Sequence, residues 1–289
     1  MVNVARWGFV ARRTLRNALI RYRRLTPGGL TRDIMRARIL RRESIAPPAR
    51  SPRPERIVVS LTSIPDRVGL IGPALRSLVD QTCPADRIVL AWPRRSLRTG
   101  EAYPPPRDIP PGVEVLECDD VGPATKLLPT LQREQEALII VVDDDVIYPF
   151  DFIETLLNAH RADPRAAVGY RGWRLAPGRD PRDLDHVFAT ALKRPEDVDI
   201  LFGTWGYLVP PGALDAAVHD FEGYPPETRW VDDVWISGHL ARRGVARKVV
   251  PARALPIESR AAFVGALTDG LNRSGDNDRI AIAAFEPWR

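Results

Sequence analysis

The chain has 289 residues, 44% of them hydrophobic and 27% charged, which fits a globular protein with one large domain or two small ones. Its two cysteines, Cys83 and Cys118, are too few for a disulfide framework and lack metal-ligand spacing, so we expect a reducing, cytoplasmic environment. The apolar stretch at residues 7–11 is too short for a signal peptide, and the longest apolar run is far too short to cross a membrane.

The net charge of +5 is distributed unevenly. Residues 1–50 contain 13 arginines against only Asp33 and Glu43, a local balance of +11, so the rest of the chain sums to −6. A nucleic-acid-binding protein would be expected to carry a basic body, and nucleic acid is therefore not an expected partner. A basic arm on an acidic body favours a surface anchor.

Residues 1–46 are predicted to form a basic, amphipathic helical arm. Apolar residues recur at helical spacing over residues 4–24, Pro27 and the two following glycines break the pattern, and a second basic segment covers residues 30–42. We expect residues 1–42 to lie on an anionic membrane surface. The alternatives are that the arm docks on the acidic body or binds a partner protein.

A proline-rich linker at residues 47–55 precedes a domain predicted for residues 56–250. Apolar runs alternate between strand and helix patterns there. Strands are predicted at residues 56–61, 87–92, 113–117 and 138–142, and helices at residues 69–81 and 124–136. This order predicts an α/β fold, Rossmann-like, with a mostly parallel sheet and helices on both faces.

The second half of the chain is less regular. Helices are predicted at residues 150–162, 211–218 and 230–243, and strands at residues 167–170, 200–202 and 245–250. Glycines, aromatic residues and prolines at residues 202–212 predict a shaped loop. Residues 251–289 are interpreted as an extension that completes or covers the site, with a helix near residues 261–271 and a polar flap at residues 272–278.

Three consecutive aspartates follow the apolar strand at residues 138–142. Clustered carboxylates repel one another unless a cation neutralises them, and ligands bind at the carboxyl ends of strands in open α/β sheets. Side chains alternate along a strand, so Asp143 and Asp145 are predicted to share a Mg²⁺ or Mn²⁺ ion, with Asp144 left for a ribose hydroxyl or a basic partner. Alternatively, the aspartates are solvated or cap the next helix.

A second acidic pair, Asp232 and Asp233, opens the helix predicted at residues 230–243. One of these carboxylates is a candidate general base toward an acceptor hydroxyl, although acidic residues in a first helical turn are common for structural reasons. Lys126 is one of only three lysines beside 39 arginines. It pairs with a phosphate in the functional interpretation and is a solvated surface residue in the structural one.

The predicted loop at residues 202–212 offers a candidate acceptor site. Trp205, Gly206 and Tyr207 are expected to form an aromatic floor for a sugar ring, and the alternative places Trp205 in the core. The four histidines are scattered along the chain, and we expect each of them to be structural.

Taken in order, several segments resemble the GT-A nucleotide-sugar glycosyltransferases, and among them the exostosin-like transferases and their bacterial surface-polysaccharide relatives. The segments are VVSLTSIPDR, TKLLP, DDD, VGYRG, FGTWGYLVPP and VDDVW, which lie within residues 56–250. The helix motif departs from the family, because Asp-Asp stands where these enzymes usually have Glu-Asp. No histidine follows His239 either, so the third metal ligand is left open.

The resemblance implies a role for each matching residue. Asp143 and Asp145 would hold the metal and the diphosphate, Asp144 would lie near the ribose, and Asp233 would serve the acceptor or the anomeric centre. The loop of Thr62, Ser63 and Arg67 would line the nucleotide, and Lys126 would approach the nucleotide or its phosphates.

The implied function is metal-dependent transfer of a sugar from a nucleotide diphosphate, with uridine as the favoured base, to a hydroxyl of a glycan or a lipid-linked acceptor. Surface polysaccharide synthesis by an enzyme peripheral to the inner face of the membrane is the expected setting. A sugar-phosphate nucleotidyltransferase is the second interpretation, although SLTSIPDR lacks its glycine-rich phosphate loop. A non-catalytic protein that binds glycan or membrane is the third.

Overall fold

A computed structural model describes residues 27–41, 45–46, 48–49, 51–175, 185–254, 256–264, 275–285 and 288. The helix expected at residues 4–24 lies outside this range, as do most of the expected helix at 261–271 and residues 272–274 of the expected flap.

The strands, in chain order, are β1 (Ile57–Thr62), β2 (Arg87–Pro93), β3 (Val113–Cys118), β4 (Leu138–Val141), β5 (Val146–Ile147), β6 (Ala167–Gly169), β7 (Arg171–Arg174), β8 (Asp185–Phe188), β9 (Glu196–Asp197), β10 (Ile200–Leu201), β11 (Tyr207–Val209), β12 (Arg247–Val249) and β13 (Ile257–Glu258). The helices are α1 (Pro27–Leu40), α2 (Gly72–Val79), α3 (Leu128–Arg133), α4 (Phe152–Ala162), α5 (Asp232–Arg242) and α6 (Asp276–Ala284).

Within the described residues, eight strands form the central sheet in the order β3-β2-β1-β4-β11-β6-β12-β9. Strands β3, β2, β1 and β4 are mutually parallel, β11 runs antiparallel to both of its neighbours, and β6 and β12 are parallel to each other. Strand β4 consists of four residues that are all buried, as expected for a central strand covered on both faces. The predicted α/β fold with a mostly parallel sheet is confirmed.

Pairing of β1 with β4 decides where the candidate site forms. The two strands are parallel, and Ser60 of β1 is opposite Val141 of β4. Both chains therefore leave the sheet at the same edge, so the loop after Thr62 and the three aspartates after Val142 come out side by side.

Several predicted elements differ from the structure. The helix expected at 124–136 is a 3-10 turn at Ala124–Lys126 followed by α3, with a proline in its first turn, where the missing N–H has no cost. The helix expected at 211–218 is only a 3-10 turn at Ala216–His219, because Gly212 turns the chain with a φ of 68°. Helix α6 was not predicted, and its first three residues stand where the polar flap was expected.

Helix α1 is docked on the body by Arg36 and by a small apolar contact. Arg36 donates to Asp80 Oδ2 at 2.8 Å, to the Asp80 carbonyl at 2.6 Å and to the Tyr148 carbonyl at 2.5 Å. Ala37 and Leu40 pack against Ile147 of β5 in a small apolar cluster. One face of residues 27–40 is thus docked on the body, and Pro27 begins a helix where a break was expected.

Candidate active site

The aspartate triplet lies in the turn between β4 and β5. The strand ends at Val141, and Asp144 and Asp145 occupy a turn, so the alternation of an extended strand does not govern their directions. Arg67 shows this directly, since its Nη1 lies 2.6 Å from Asp144 Oδ1 and 3.1 Å from Asp145 Oδ2. The expected opposition of Asp144 to Asp145 is therefore wrong at this turn.

The loop after β1 binds the aspartate turn. Ser63 Oγ donates to Asp144 Oδ2 at 2.5 Å, and Arg67 donates to the other oxygen of the same carboxylate. Asp144 is only 4% exposed, and Arg67 is the basic partner that was one of its two predicted options. Thr62 differs from its neighbours, because its hydroxyl donates to the Ala91 carbonyl inside the sheet at 2.8 Å.

Lys126 joins the two acidic motifs. Its Nζ lies 2.9 Å from Asp143 Oδ1, 2.9 Å from Asp232 Oδ2 and 4.0 Å from Asp233 Oδ1. The side chain is buried, which excludes the solvated surface lysine that was one interpretation. Its contacts here are carboxylates, whereas the resemblance implied contacts with the nucleotide or its phosphates.

Asp233 faces the aspartate turn from the start of α5. Its Oδ1 accepts a hydrogen bond of 2.7 Å from the Gly203 N–H, and its side chain keeps 18% of its surface exposed. Asp232 is more deeply buried and is held by Lys126. Acidic residues are electrostatically favourable at this position, because the N-terminal turn of a helix carries a partial positive charge.

The network carries a surplus of negative charge. Among the described residues, its contacts join five carboxylates (Asp143, Asp144, Asp145, Asp232 and Asp233) with two cations, Arg67 and Lys126. Burial, together with the neighbouring charges of Asp143 and Asp144, raises the pKa of Asp145 to about 7. Burial and the adjacent Asp232 also raise the pKa of Asp233 well above its usual range.

The donor set suits a divalent cation. Within the described ranges, no group of three histidine, cysteine, aspartate or glutamate side chains is arranged to hold a metal ion. Asp143 and Asp145 are partly exposed, at 21% and 20% of their side-chain surfaces, and they supply the oxygen ligands that Mg²⁺ and Mn²⁺ prefer. Two carboxylates together with the surplus negative charge therefore fit such an ion, with further ligands supplied by substrate or water.

The residues expected to form an acceptor floor are core residues. Trp205 is 3% exposed and packs against Phe188, with ring centroids 5.5 Å apart, and Tyr207 belongs to β11 in the centre of the sheet. Gly206 has a φ of +80°, and a Cβ there would lie 2.6 Å from the Phe152 ring. The aromatic floor expected from Trp205 and Tyr207 is wrong, because an acceptor could reach these side chains only by displacing packed neighbours. The acceptor role of Gly206, which has no side chain, stays a prediction.

The structure adds residues that the sequence did not single out. Tyr148 Oη accepts from the Asp143 N–H at 2.8 Å, the Ser259 N–H donates to the Asp145 carbonyl at 2.7 Å, and Tyr103 Oη donates to the Ser63 carbonyl at 3.0 Å. Tyr148 lies only three residues after Asp145, so its place next to the aspartates in the sequence was the available signal. The other two come from distant segments that no local pattern links to the site.

Comparison with known proteins gives a match in structure alone. No family model and no curated protein matches the sequence. The structure is similar to a mannosyltransferase from Pyrobaculum calidifontis that was solved in complex with GDP-mannose and Mn²⁺. The TM-score is 0.53 at 16% sequence identity, and the match covers 89% of this chain and 71% of the other.

The chain shares its fold with a glycosyltransferase. In this glycosyltransferase-like fold, the two acidic motifs and Lys126 occupy the carboxyl edge of the sheet, where ligands bind in open α/β proteins. None of the helices in the described ranges has both the length and the apolar character needed to span a bilayer.

Proposed function

We propose that the protein is a metal-dependent glycosyltransferase that moves a sugar from a nucleotide diphosphate donor to a hydroxyl of a glycan or a lipid-linked acceptor. One observation supports this most strongly. Two acidic motifs about 90 residues apart meet at the carboxyl edge of the sheet and share the ammonium of Lys126. A buried surplus of negative charge at a ligand-binding edge is costly unless the site binds cations.

In this proposal, Asp143 and Asp145 hold Mn²⁺ or Mg²⁺ together with the donor diphosphate. The metal, when bound, would supply Lewis-acid stabilisation of the departing diphosphate. Ser63 and Arg67 would act by fixing the Asp144 carboxylate, and with it the turn that presents Asp143 and Asp145. A uridine nucleotide and a surface polysaccharide acceptor, which the sequence resemblance implies, are the finer parts of the proposal.

Asp233 is the proposed general base. Its raised pKa makes it a better proton acceptor than a solvated aspartate, and its partial exposure leaves one side open to an acceptor hydroxyl. The hydrogen bond from the Gly203 N–H orients the carboxylate. If the reaction retains the anomeric configuration, the same carboxylate would face the positively charged sugar centre. Asp232, which is buried against Lys126, would position Asp233 rather than react.

Substitution of two aspartates tests these roles. Asp233→Asn keeps the hydrogen bond from Gly203 but removes the base, so transfer should fall about 10²- to 10⁴-fold with little change in thermal stability. Asp145→Ala should abolish metal-dependent transfer. The readout is product mass from a library of nucleotide sugars, and near-normal turnover in either variant with Mn²⁺ present would refute the assigned role.

Ligand-dependent thermal stability separates the reaction classes. A metal-dependent rise in melting temperature with nucleoside diphosphates supports the transferase. A preference for nucleoside triphosphates would support a sugar-phosphate nucleotidyltransferase instead. A protein that responds to no nucleotide, with or without Mn²⁺, would be a non-catalytic binder.

We also propose that the protein works at the cytoplasmic surface of an anionic membrane. Ile34, Met35 and Ile39 are 42–53% exposed on the outer face of α1, and Arg32 and Arg38 are exposed beside them. Apolar side chains flanked by arginines are typical of a helix that lies in the interface of anionic lipid.

Vesicle sedimentation tests the membrane proposal. Ile39→Asp should weaken binding of the full chain to vesicles containing phosphatidylserine, because it places a negative charge at the interface. Leu97→Asp is the matched control, because Leu97 is an aliphatic residue outside α1 whose exposure, 41%, is close to the 45% of Ile39. Equal binding by wild type and Ile39→Asp would exclude α1 as the contact surface.

A further inference from the structure

Lys126 links the two acidic motifs. Unlike the lysine of an ordinary surface ion pair, it is buried and contacts two carboxylates at once. The side chain is 7% exposed, and its ammonium is the same distance, 2.9 Å, from Asp143 and from Asp232. A carboxylate that holds an ammonium on one oxygen has less negative potential to offer a second cation. Lys126 and a divalent ion would therefore compete for the negative charge of the Asp143 carboxylate.

Space around the ammonium is also restricted. A Cβ added at Gly203 would overlap Lys126 Nζ and would lie 3.0 Å from its Cε, whereas the nearest Asp233 oxygen would be 3.2 Å away. Gly203 has no left-handed φ, so its lack of a side chain is not required by the backbone. The glycine thus leaves room for the lysine head group in the acidic cluster.

We propose that Lys126 is a built-in counter-ion that competes with the divalent metal for Asp143 and so sets the metal affinity of the site. This inference rests on the proposed function, because it takes Asp143 as a metal ligand. When the metal is bound, Asp232 retains the ammonium, since Nζ already contacts both carboxylates. The lysine is a positioning residue in this account, acting through the carboxylates that it holds.

Mn²⁺ alone, titrated into the full chain, is the probe. Lys126→Met removes the competing cation, so the dissociation constant for Mn²⁺ should fall by at least about tenfold, measured by calorimetry or by electron paramagnetic resonance of free Mn²⁺. Lys248→Met is the matched control, because Lys248 pairs with Asp163 elsewhere and its loss removes the same charge from the protein. This control should leave Mn²⁺ affinity unchanged.

Two further variants distinguish competition from net charge and guard against misfolding. Lys126→Met combined with Asp232→Asn keeps the formal charge of the cluster equal to that of the wild type, yet should still bind Mn²⁺ more tightly. Gly203→Ala changes no charge and displaces the ammonium by its methyl group, so Mn²⁺ affinity should rise here as well. Gly28→Ala is the control, because a Cβ there would meet no atom within 4 Å.

Each outcome decides the proposal. Tighter Mn²⁺ binding in Lys126→Met, in the double variant and in Gly203→Ala supports it. Unchanged or weaker binding in these variants, with wild type binding Mn²⁺, overturns the counter-ion role and leaves the proposed transferase intact. Tighter binding in Lys126→Met alone, with the double variant at the wild-type value, also overturns it, because net charge would then suffice. If no variant and no wild-type protein binds Mn²⁺, both proposals fall.

Discussion

His239 should make the stability of this protein dependent on pH. The ring lies on α5, the helix that presents Asp232 and Asp233, and is 4% exposed. It is surrounded by aromatic rings, with centroid distances of 4.5 Å to Trp235 and 5.3 Å to Phe285. Among the described residues, its Nε2 has no hydrogen-bond partner. A protonated imidazole in this setting would be a poorly solvated charge.

The size of the effect follows from the pKa. Burial, with a further contribution from Arg242, lowers the pKa of His239 from 6.5 to about 4. Because the unfolded chain binds the proton first as the pH falls, stability is retained above about pH 6.5 and is lost between that value and about pH 4. Between about pH 7.5 and about pH 4.5, this single group should cost about 2.5 kcal/mol of unfolding free energy.

Urea unfolding of wild type and His239→Phe at these two pH values measures the effect. Phenylalanine keeps a ring in the aromatic cluster but does not titrate, so its advantage over wild type should grow by about 2.5 kcal/mol on acidification. His219→Phe is the control, because that ring is only half-buried and should show a smaller change. Parallel pH profiles for wild type and His239→Phe would refute the reasoning.

Three further substitutions probe packing and the site. Arg36→Ala should lower the free energy of unfolding by about 2–3 kcal/mol in urea, because Arg36 makes the charged hydrogen bonds that dock α1; an unchanged midpoint would mean that the helix is not held this way. Tyr148→Phe leaves the Asp143 N–H without its acceptor, so it should lower the free energy of unfolding by about 1–3 kcal/mol and weaken Mn²⁺ binding. Wild-type Mn²⁺ affinity measured by calorimetry would contradict this. Gly238→Ala should destabilise the protein by about 1–3 kcal/mol, because the new methyl group on α5 would overlap the ring of Phe285, which directly follows α6. Thermal unfolding at the wild-type temperature would show that α5 and α6 can move apart without cost.

The central sheet could be predicted because its signals are local. Strands β1, β2 and β4 are short apolar runs between turn residues, and burial on both faces leaves few other conformations for such a run. The observed bounds differ from the prediction by only a residue at most ends, as at β1, which begins at Ile57 instead of residue 56. The position of the aspartates at the carboxyl edge followed from the same logic.

Strand β11 could not be predicted in this way. Its three residues lie in a stretch rich in glycine, aromatic residues and proline, a composition that indicates a loop. The strand forms because Tyr207 and Leu208 find partners in β4 and β6, which are far apart in sequence. Cross-strand pairing and burial, which no local window contains, overrode the local propensity. The expectation that Trp205 and Tyr207 form an acceptor floor failed for the same reason, because contacts with distant segments bury both side chains.

The sequence by itself determined that one apolar strand ends in three carboxylates, that a second acidic pair opens a helix, and that the charge of the arm is opposite to that of the body. Only the tertiary structure decided that Lys126 lies between Asp143 and Asp232, and that Arg67 lies against Asp144. The physical reason is that strand and helix patterns depend on neighbours along the chain, whereas ion pairs and pKa values depend on distance and burial in the folded protein.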